Sequence, residues 1–279
     1  MKLHKQNSRI LIGLLLMAVM ILAACTKNED KNYTTAINPI EDITIDTTNV
    51  SDIEVTPTEA IKSSDDDDTS STKKMIAIDA GHQSKGNNDK EPIGPGSSTT
   101  KPKVSSGTQG VVSGVAEYEL NLTIAQKVED ELINRGYKVY MIREKNDVNL
   151  SNKERADMAN ESGADLFLRI HADSSTSSTV SGTSTLYPSK DNPYVSNLSK
   201  DSYALSDAVV DAICKQTGSK NHGAIARDDM SGINWCNIPV TIIEMGFMSN
   251  KKEDKLMQTK DYQDKIVKGI CDGIDEYYE

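Results

Sequence analysis

This chain of 279 residues is poor in several residue types, and each scarcity excludes something. It has four cysteines, Cys25, Cys214, Cys236 and Cys271, and no Cys-x-x-Cys pair, so neither a zinc knuckle nor a dense disulfide framework is encoded. Four histidines occur without a His-Glu-x-x-His, so a metal site would have to be assembled from distant segments. Basic residues are outnumbered, 31 Lys and Arg against 42 Asp and Glu, for a net charge of −11. Such a balance argues against nucleic acid as a partner, which calls for a basic patch. The apolar run Ile10–Ala24 stops short of the ~20 residues that span a bilayer.

That run has another use. Lys2, Lys5 and Arg9 precede it, which is the layout of a secretory signal. It closes on Leu22-Ala23-Ala24-Cys25, and small residues directly before a Cys resemble the bacterial lipobox. The resemblance implies cleavage before Cys25 and a lipid on its sulfur, with an uncleaved signal anchor or a plain secretory signal as the alternative. In each case the mature domain works outside the cytoplasm. Residues 26–72 then turn polar and acidic, with three lysines against twelve Asp and Glu, including Asp65–Asp68. A segment of this composition buries too little apolar surface to fold and reads as a solvated tether. The division is a signal over 1–24, lipidated Cys25 and tether over 25–72, and one folded domain over 73–279. The three remaining cysteines are expected as buried thiols, with one disulfide plus a free thiol, or a nucleophilic Cys236, as the alternatives.

From residue 73 strand-like and helix-like patterns alternate, which predicts an α/β fold, an open, mostly parallel twisted sheet flanked by helices. Met75–Asp79 reads as the first strand. Residues 83–114 are rich in Gly, Ser, Pro, Lys and Thr and read as a long loop, a candidate lid. Leu120, Ile124, Val128 and Leu132 recur at helical spacing, with Gly136 placed to end the helix. Lys138–Ile142 is the next strand, and Ser151 with Glu154 is a capping-box signature. Leu166–Ile170 suits a central strand, and Gly182–Tyr187 has the pattern to pair beside it. Ser202–Gln216 shows a helical face, 219–237 reads as a loop carrying His222, Arg227 and Trp235, Val240–Ile243 is a strand, and a helix near Tyr262–Tyr277 closes the domain.

Three strand ends carry the chemistry. Met75–His82 delivers His82, Ala164–Asp173 delivers His171, and Val240–Asn250 delivers Glu244, all to the carboxyl edge where open α/β sheets build their sites. A lone histidine is usually a satisfied structural residue; two in equivalent positions with a glutamate in a third point to a metal. Burying the Glu244 carboxylate is costly without a partner, which favours a functional role. Glu117 opens the first helix, either as a charge favoured at a helix N-terminus or as a carboxylate aimed at the same crevice. His222 has no such context.

Taken in order, Asp-Ala-Gly-His82, Glu117-Tyr-Glu-Leu-Asn-Leu, Arg143 before Ser151-Asn-Lys-Glu-Arg155, Arg-Ile-His171-Ala-Asp and Ile-Pro-Val-Thr-Ile-Ile-Glu244-Met-Gly-Phe-Met-Ser-Asn resemble the zinc-dependent N-acetylmuramoyl-L-alanine amidases. These are bacterial hydrolases that cut between N-acetylmuramic acid and the stem peptide of peptidoglycan. The resemblance implies Zn2+ held by His82, Glu117 and His171, with Glu119 as the neighbouring candidate for the carboxylate, and Glu244 as the catalytic residue. Arg227 is a candidate for a stem-peptide carboxylate, or an ordinary surface arginine. The implied partners are peptidoglycan and, through Cys25, the membrane; a protein activator has no signature in the sequence. The chain departs from the family in the long spacing between His82 and Glu117 and in Asp173, where Asn is common. The rival readings are a non-catalytic wall-binding lipoprotein on the same fold and a different zinc hydrolase of the wall.

Overall fold

The computed structural model describes residues 74–279; the signal, Cys25 and the tether lie outside the described residues. Six strands form one sheet: β1 (Met75–Ala80), β4 (Lys138–Met141), β5 (Leu166–Asp173), β6 (Thr183–Tyr187), β7 (Asn221–Ala226) and β8 (Val240–Phe247). Their order is β4-β1-β5-β8-β6-β7, and all neighbours are parallel except β6 with β8. A separate antiparallel hairpin joins β2 (Asn87–Pro92) to β3 (Thr100–Val104). The helices are α1 (Glu117–Asn134), α2 (Asn152–Glu161), α3 (Ser199–Thr217), α4 (Ser231–Asn234), α5 (Lys251–Met257) and α6 (Lys260–Tyr278). β1 has β4 on one side and β5 on the other, so the chain reverses its direction of winding beside the end of β1. Open α/β sheets form their crevice at such a point.

Alternation along the central strands divides the core into two layers, because successive strand side chains face opposite ways. Ile76, Ile78, Leu166, Leu168, Ile170 and Ile243 pack with α1, α3 and α6 on one face. Ala77, Phe167, Val240 and Ile242 pack with α2 and α4 on the other. The first face is closed by a long, close contact between α3 and α6. There Gly269 and Gly273 lie directly on α3, and a Cβ on either would come within 2.5 Å of the Cα of Ile213 or Val209.

Local signals place the helix ends. Ser151 Oγ accepts the Glu154 N–H at 3.1 Å, and Glu154 returns the bond to the Ser151 N–H at 2.7 Å. α1 ends at Asn134, and Gly136, just past the cap residue Arg135, takes the left-handed φ of 93° that turns the chain away.

Three expectations are corrected, and one further element, α5, is present. Residues 83–114 are not structureless, because they contain the β2–β3 hairpin. Its strands are mostly exposed and carry no apolar alternation, so their pairing depends on docking. Trp235 Nε1 donates to Pro92 O at 3.0 Å and Asn152 Nδ2 to Lys103 O at 2.8 Å. Gly182–Tyr187 pairs with β8 and β7, not with Leu166–Ile170, because Val240–Ile243 takes the place beside β5. Segment 219–237 holds an edge strand, β7, and the four-residue α4, both too short or too exposed to show a period. α5 went unread because seven residues make under two full repeats; Asn250 caps it, accepting from the Lys252 and Glu253 N–H groups.

The α3–α6 contact yields a test. Gly273→Ala places a methyl against α3 backbone and is expected to lower stability by about 1–3 kcal/mol. An unchanged guanidinium midpoint would show that the helices can separate freely.

Candidate metal centre and the frame beneath it

β1 ends in Ala80, and Gly81 extends its pairing by donating to Ile170 O at 2.9 Å. Only glycine fits at 81, since a Cβ there would lie 2.1 Å from the His171 ring. The chain then turns sharply, and His82 takes a left-handed φ of 63°, the one non-glycine residue to do so among the described residues. Side chains of β5 and α1 meet it. His82 Nε2 lies 3.1 Å from Glu117 Oε1, and His171 Nδ1 lies 3.2 Å from each of those two atoms.

This triangle has the dimensions of a metal's ligand shell. Ligand atoms about 2.0–2.2 Å from a tetrahedral ion stand roughly 3.3–3.6 Å apart. The donor set also fits, because two imidazoles and one carboxylate are borderline ligands that leave one tetrahedral position open. Burial pulls His171 down to about 4, against the opposing influence of Glu117, so the ring is neutral and its lone pair is available. Burial raises the Glu117 carboxyl, but the two histidines outweigh it and hold the group well below the carboxylate range. Asn121 Nδ2 and the Ala172 N–H each reach Glu117 Oε1 at 3.2 Å, fixing its direction. Glu119 points away to solvent, its Oε2 accepting the Ala116 N–H that starts the helix.

Glu244 stands directly beside His171, because β5 and β8 pair in parallel with these two residues in register. In-register neighbours on parallel strands share a face about 4.8 Å apart. Burial, together with the negative charges of Glu117 and Asp173, raises Glu244 well above its ordinary range, while Arg227 and Arg169 pull the other way. Its carboxylate has no hydrogen bond or ion pair among the described residues.

The described domain matches the family model for N-acetylmuramoyl-L-alanine amidase (Amidase_3) over residues 76–276. The chain belongs to the N-acetylmuramoyl-L-alanine amidase family. It is 30% identical over 166 residues to the amidase LytC of Bacillus subtilis, covering 60% of this chain and 32% of LytC, so it spans about a third of that relative. Among solved structures it resembles the catalytic domain of the amidase CwlV from Bacillus (Paenibacillus) polymyxa var. colistinus, at 29% identity and a TM-score of 0.59, covering 74% of this chain and 98% of that one. It also resembles the amidase CwlD from Clostridioides difficile, solved in complex with the GerS lipoprotein, at 28% identity, a TM-score of 0.56, and 74% and 98% coverage. The mostly parallel, helix-flanked sheet is the fold of this amidase family.

Below the amidase site runs a buried polar frame that sequence reasoning left without a role. Asp79 is fully buried, 2.6 Å from Arg155 and 2.9 Å from Arg169. Burial pushes the Asp79 carboxyl up, but the two guanidinium groups override this and hold it well below the usual range. Arg155 continues to Ala80 O, His82 O and Gln83 Oε1, and Arg143 holds Ala80 O, Gly81 O and Tyr118 O. The sequence signal was present, since an Asp and two Arg adjoin or interrupt apolar strands and a helix start, but no spacing links residues 79, 155 and 169.

The remaining candidates lie elsewhere. Arg227 follows β7 and pairs with Asp229 at 2.9 Å, near enough for its charge to act on Glu244 and Asp173. His222 sits on β7 rather than in a loop, its Nε2 bonded to Ser181 O at 2.8 Å. Cys214, Cys236 and Cys271 are free thiols. Cys236 is buried with its Sγ donating to Gly232 O at 3.1 Å, and burial pushes the thiol up to about 12, which speaks against a nucleophile.

Asp79 gives a prediction with a sign. Asp79→Asn leaves Arg155 and Arg169 buried without their anion, and is expected to cost about 3–5 kcal/mol near neutral pH. Because the folded carboxyl lies below its unfolded value of roughly 3.9, the advantage of the native chain is full above that pH and shrinks as pH falls toward the folded pKa. Urea melts of both chains should show a constant gap from pH 7 to about pH 5 that begins to narrow below about pH 4; a gap still undiminished at pH 3 would show that Asp79 is not ionised in the fold.

Proposed function

We propose that this chain hydrolyses the amide bond between N-acetylmuramic acid and L-alanine in peptidoglycan, with a zinc ion held by His82, Glu117 and His171 and with Glu244 moving the protons. The observation that carries this reading is the unpartnered Glu244 carboxylate, held in register beside His171 and next to the three converging donors. A zinc ion bound there supplies Lewis-acid polarisation of the scissile carbonyl and a water whose pKa falls to roughly 7. Glu244 takes a proton from the attacking water and returns it to the departing amine of L-alanine. Burial, with the charges of Glu117 and Asp173, raises its proton affinity, which suits a group that must hold the proton between the two transfers. The charge of Arg227, close to Glu244 and Asp173, suits a carboxylate of the stem peptide.

Outside this domain, the proposal extends to the chain's location. Leu22-Ala23-Ala24-Cys25 supports cleavage before Cys25 and a lipid anchor, with the domain facing the cell wall. A protein activator belongs to the same proposal, supported by the CwlD structure, which was solved in complex with the GerS lipoprotein.

Purified peptidoglycan digested by the protein should release peptides with free L-alanine amino termini and peptide-free glycan, read by mass spectrometry. A chelator should abolish release, and Glu244→Gln should lower the rate by about 10²–10⁴-fold while leaving metal content intact. Binding without cleavage by folded, zinc-loaded protein would overturn the reading; a cut elsewhere in the polymer would change the substrate bond. For the anchor, mass spectrometry of the membrane-bound protein should find Cys25 as its first residue with an acyl chain attached, and an unmodified Cys25 would remove the lipid from the proposal.

A further inference from the structure

We infer that Ser105–Thr108, the segment leaving the β2–β3 hairpin, is a strap that positions two of the three metal-binding side chains, with Ser105 setting the ring of His82. The inference rests on the metal reading above and concerns residues for which the fold family resemblance assigns no role.

His82 Nδ1 lies 3.0 Å from Ser105 O and 3.0 Å from Ser105 Oγ. A carbonyl oxygen only accepts, so Nδ1 carries the hydrogen, and with a metal seated among the three donors Nε2 would present its lone pair to it. Metal-binding imidazoles are oriented in this way, by a hydrogen bond from the far ring nitrogen to a carbonyl or carboxylate. Ser105 Oγ in turn accepts the Gly107 N–H at 3.3 Å, which folds the strap back on itself. One residue further, the Thr108 N–H donates to Glu117 Oε2 at 2.9 Å, and Thr108 O accepts the Glu117 N–H at 2.9 Å. A four-residue segment thus holds side chains from two elements, the end of β1 and the start of α1.

Gly107 makes this closeness feasible. Its φ is +80°, and a Cβ there would lie 2.6 Å from Glu117 Oε2 and 2.9 Å from His82 Cδ2. The far end of the strap is tied through the hairpin. Lys101 pairs with Asp229 at 3.1 Å, and the Glu91 side chain, 5% exposed, accepts the Lys153 N–H at the start of α2. The polar segment that separates His82 from Glu117 in sequence therefore returns to join them in space. His82 is gripped on both sides, by Ser105 at its ring and by Arg155 at its carbonyl.

The test compares the full chain with Ser105→Ala, Ser105→Thr and Gly107→Ala. Zinc affinity is measured by competition with a chromogenic chelator, the ligand field by the visible spectrum of the cobalt(II) form, and folding by the melting temperature of metal-free protein. Ser105→Ala should weaken zinc about 10-fold and Gly107→Ala about 100-fold, the two ends of the range for groups that orient metal ligands. Ser105→Thr should restore affinity, and the cobalt bands should shift in Ser105→Ala while the metal-free melting temperature holds. Wild-type affinity and an unshifted cobalt spectrum in both Ser105→Ala and Gly107→Ala would overturn the inference and leave the metal reading standing. A folded native chain that binds neither metal would overturn that reading and the strap with it.

Discussion

The carboxylate of Asp79 is the charge on which the site is built. It lies on the central strand β1 with no exposure, and Arg155 and Arg169 reach it from α2 and β5. Burying three ionised groups costs several kcal/mol of desolvation for each, and mutual attraction offsets this only when the geometry is good. Such a cluster adds little net stability, but it penalises any arrangement in which its members part. The three elements that carry it are therefore held in one relation. Arg155 then spends its remaining hydrogens on Ala80 O, His82 O and Gln83 Oε1, so the cluster extends directly into the turn that presents His82.

Above this frame, the site follows from sheet geometry. β1, β5 and β8 run parallel and end at the same edge, so residues just past or near their ends share one crevice. Side chains two residues apart on a strand face the same way. Arg169 and His171 therefore project from the same face of β5, the first into the buried frame and the second into the crevice. Glu244 is their neighbour on β8. The carboxylate of Glu117 comes from a different direction, at the first turn of α1, where it completes the triangle with the two histidines. Burial raises the proton affinity of Glu244, and the negative charges of Glu117 and Asp173 add to it without touching the group. One carboxylate is thus held ionised by the histidines it faces, while another a short distance away is made to hold its proton more tightly.

Much of this was legible residue by residue. The apolar runs ending in His82, His171 and Glu244 identified three parallel strands, because a buried strand must be apolar on both faces. The four-residue spacing in α1 and the Ser151–Glu154 pair located helices, because those signals act within one or two turns. Elements without local signals were missed. β2 and β3 carry Lys, Asp, Asn and Glu, and exist because Trp235, Asn152 and Asp229 receive them. β7 is an exposed edge strand whose partner, β6, lies beside β8 and not beside β5. Nothing in the residues of β6 distinguishes a place beside β5 from a place beside β8, since either satisfies its apolar positions.

By itself the sequence determined the alternation of strands and helices, the end of the sheet that bears the chemistry, and the residues delivered there. These follow from short-range rules, namely side-chain periodicity, capping hydrogen bonds and the cost of burying charge. Only the tertiary structure decided that Glu117 rather than Glu119 turns inward, that Asp79 gathers two arginines, and that Ser105 meets the ring of His82. Each of those contacts joins residues that are neighbours through packing alone. In the first case the choice depends on which face of one helical turn meets the sheet, and in the others on loops and strands far apart in the chain being brought within hydrogen-bonding distance.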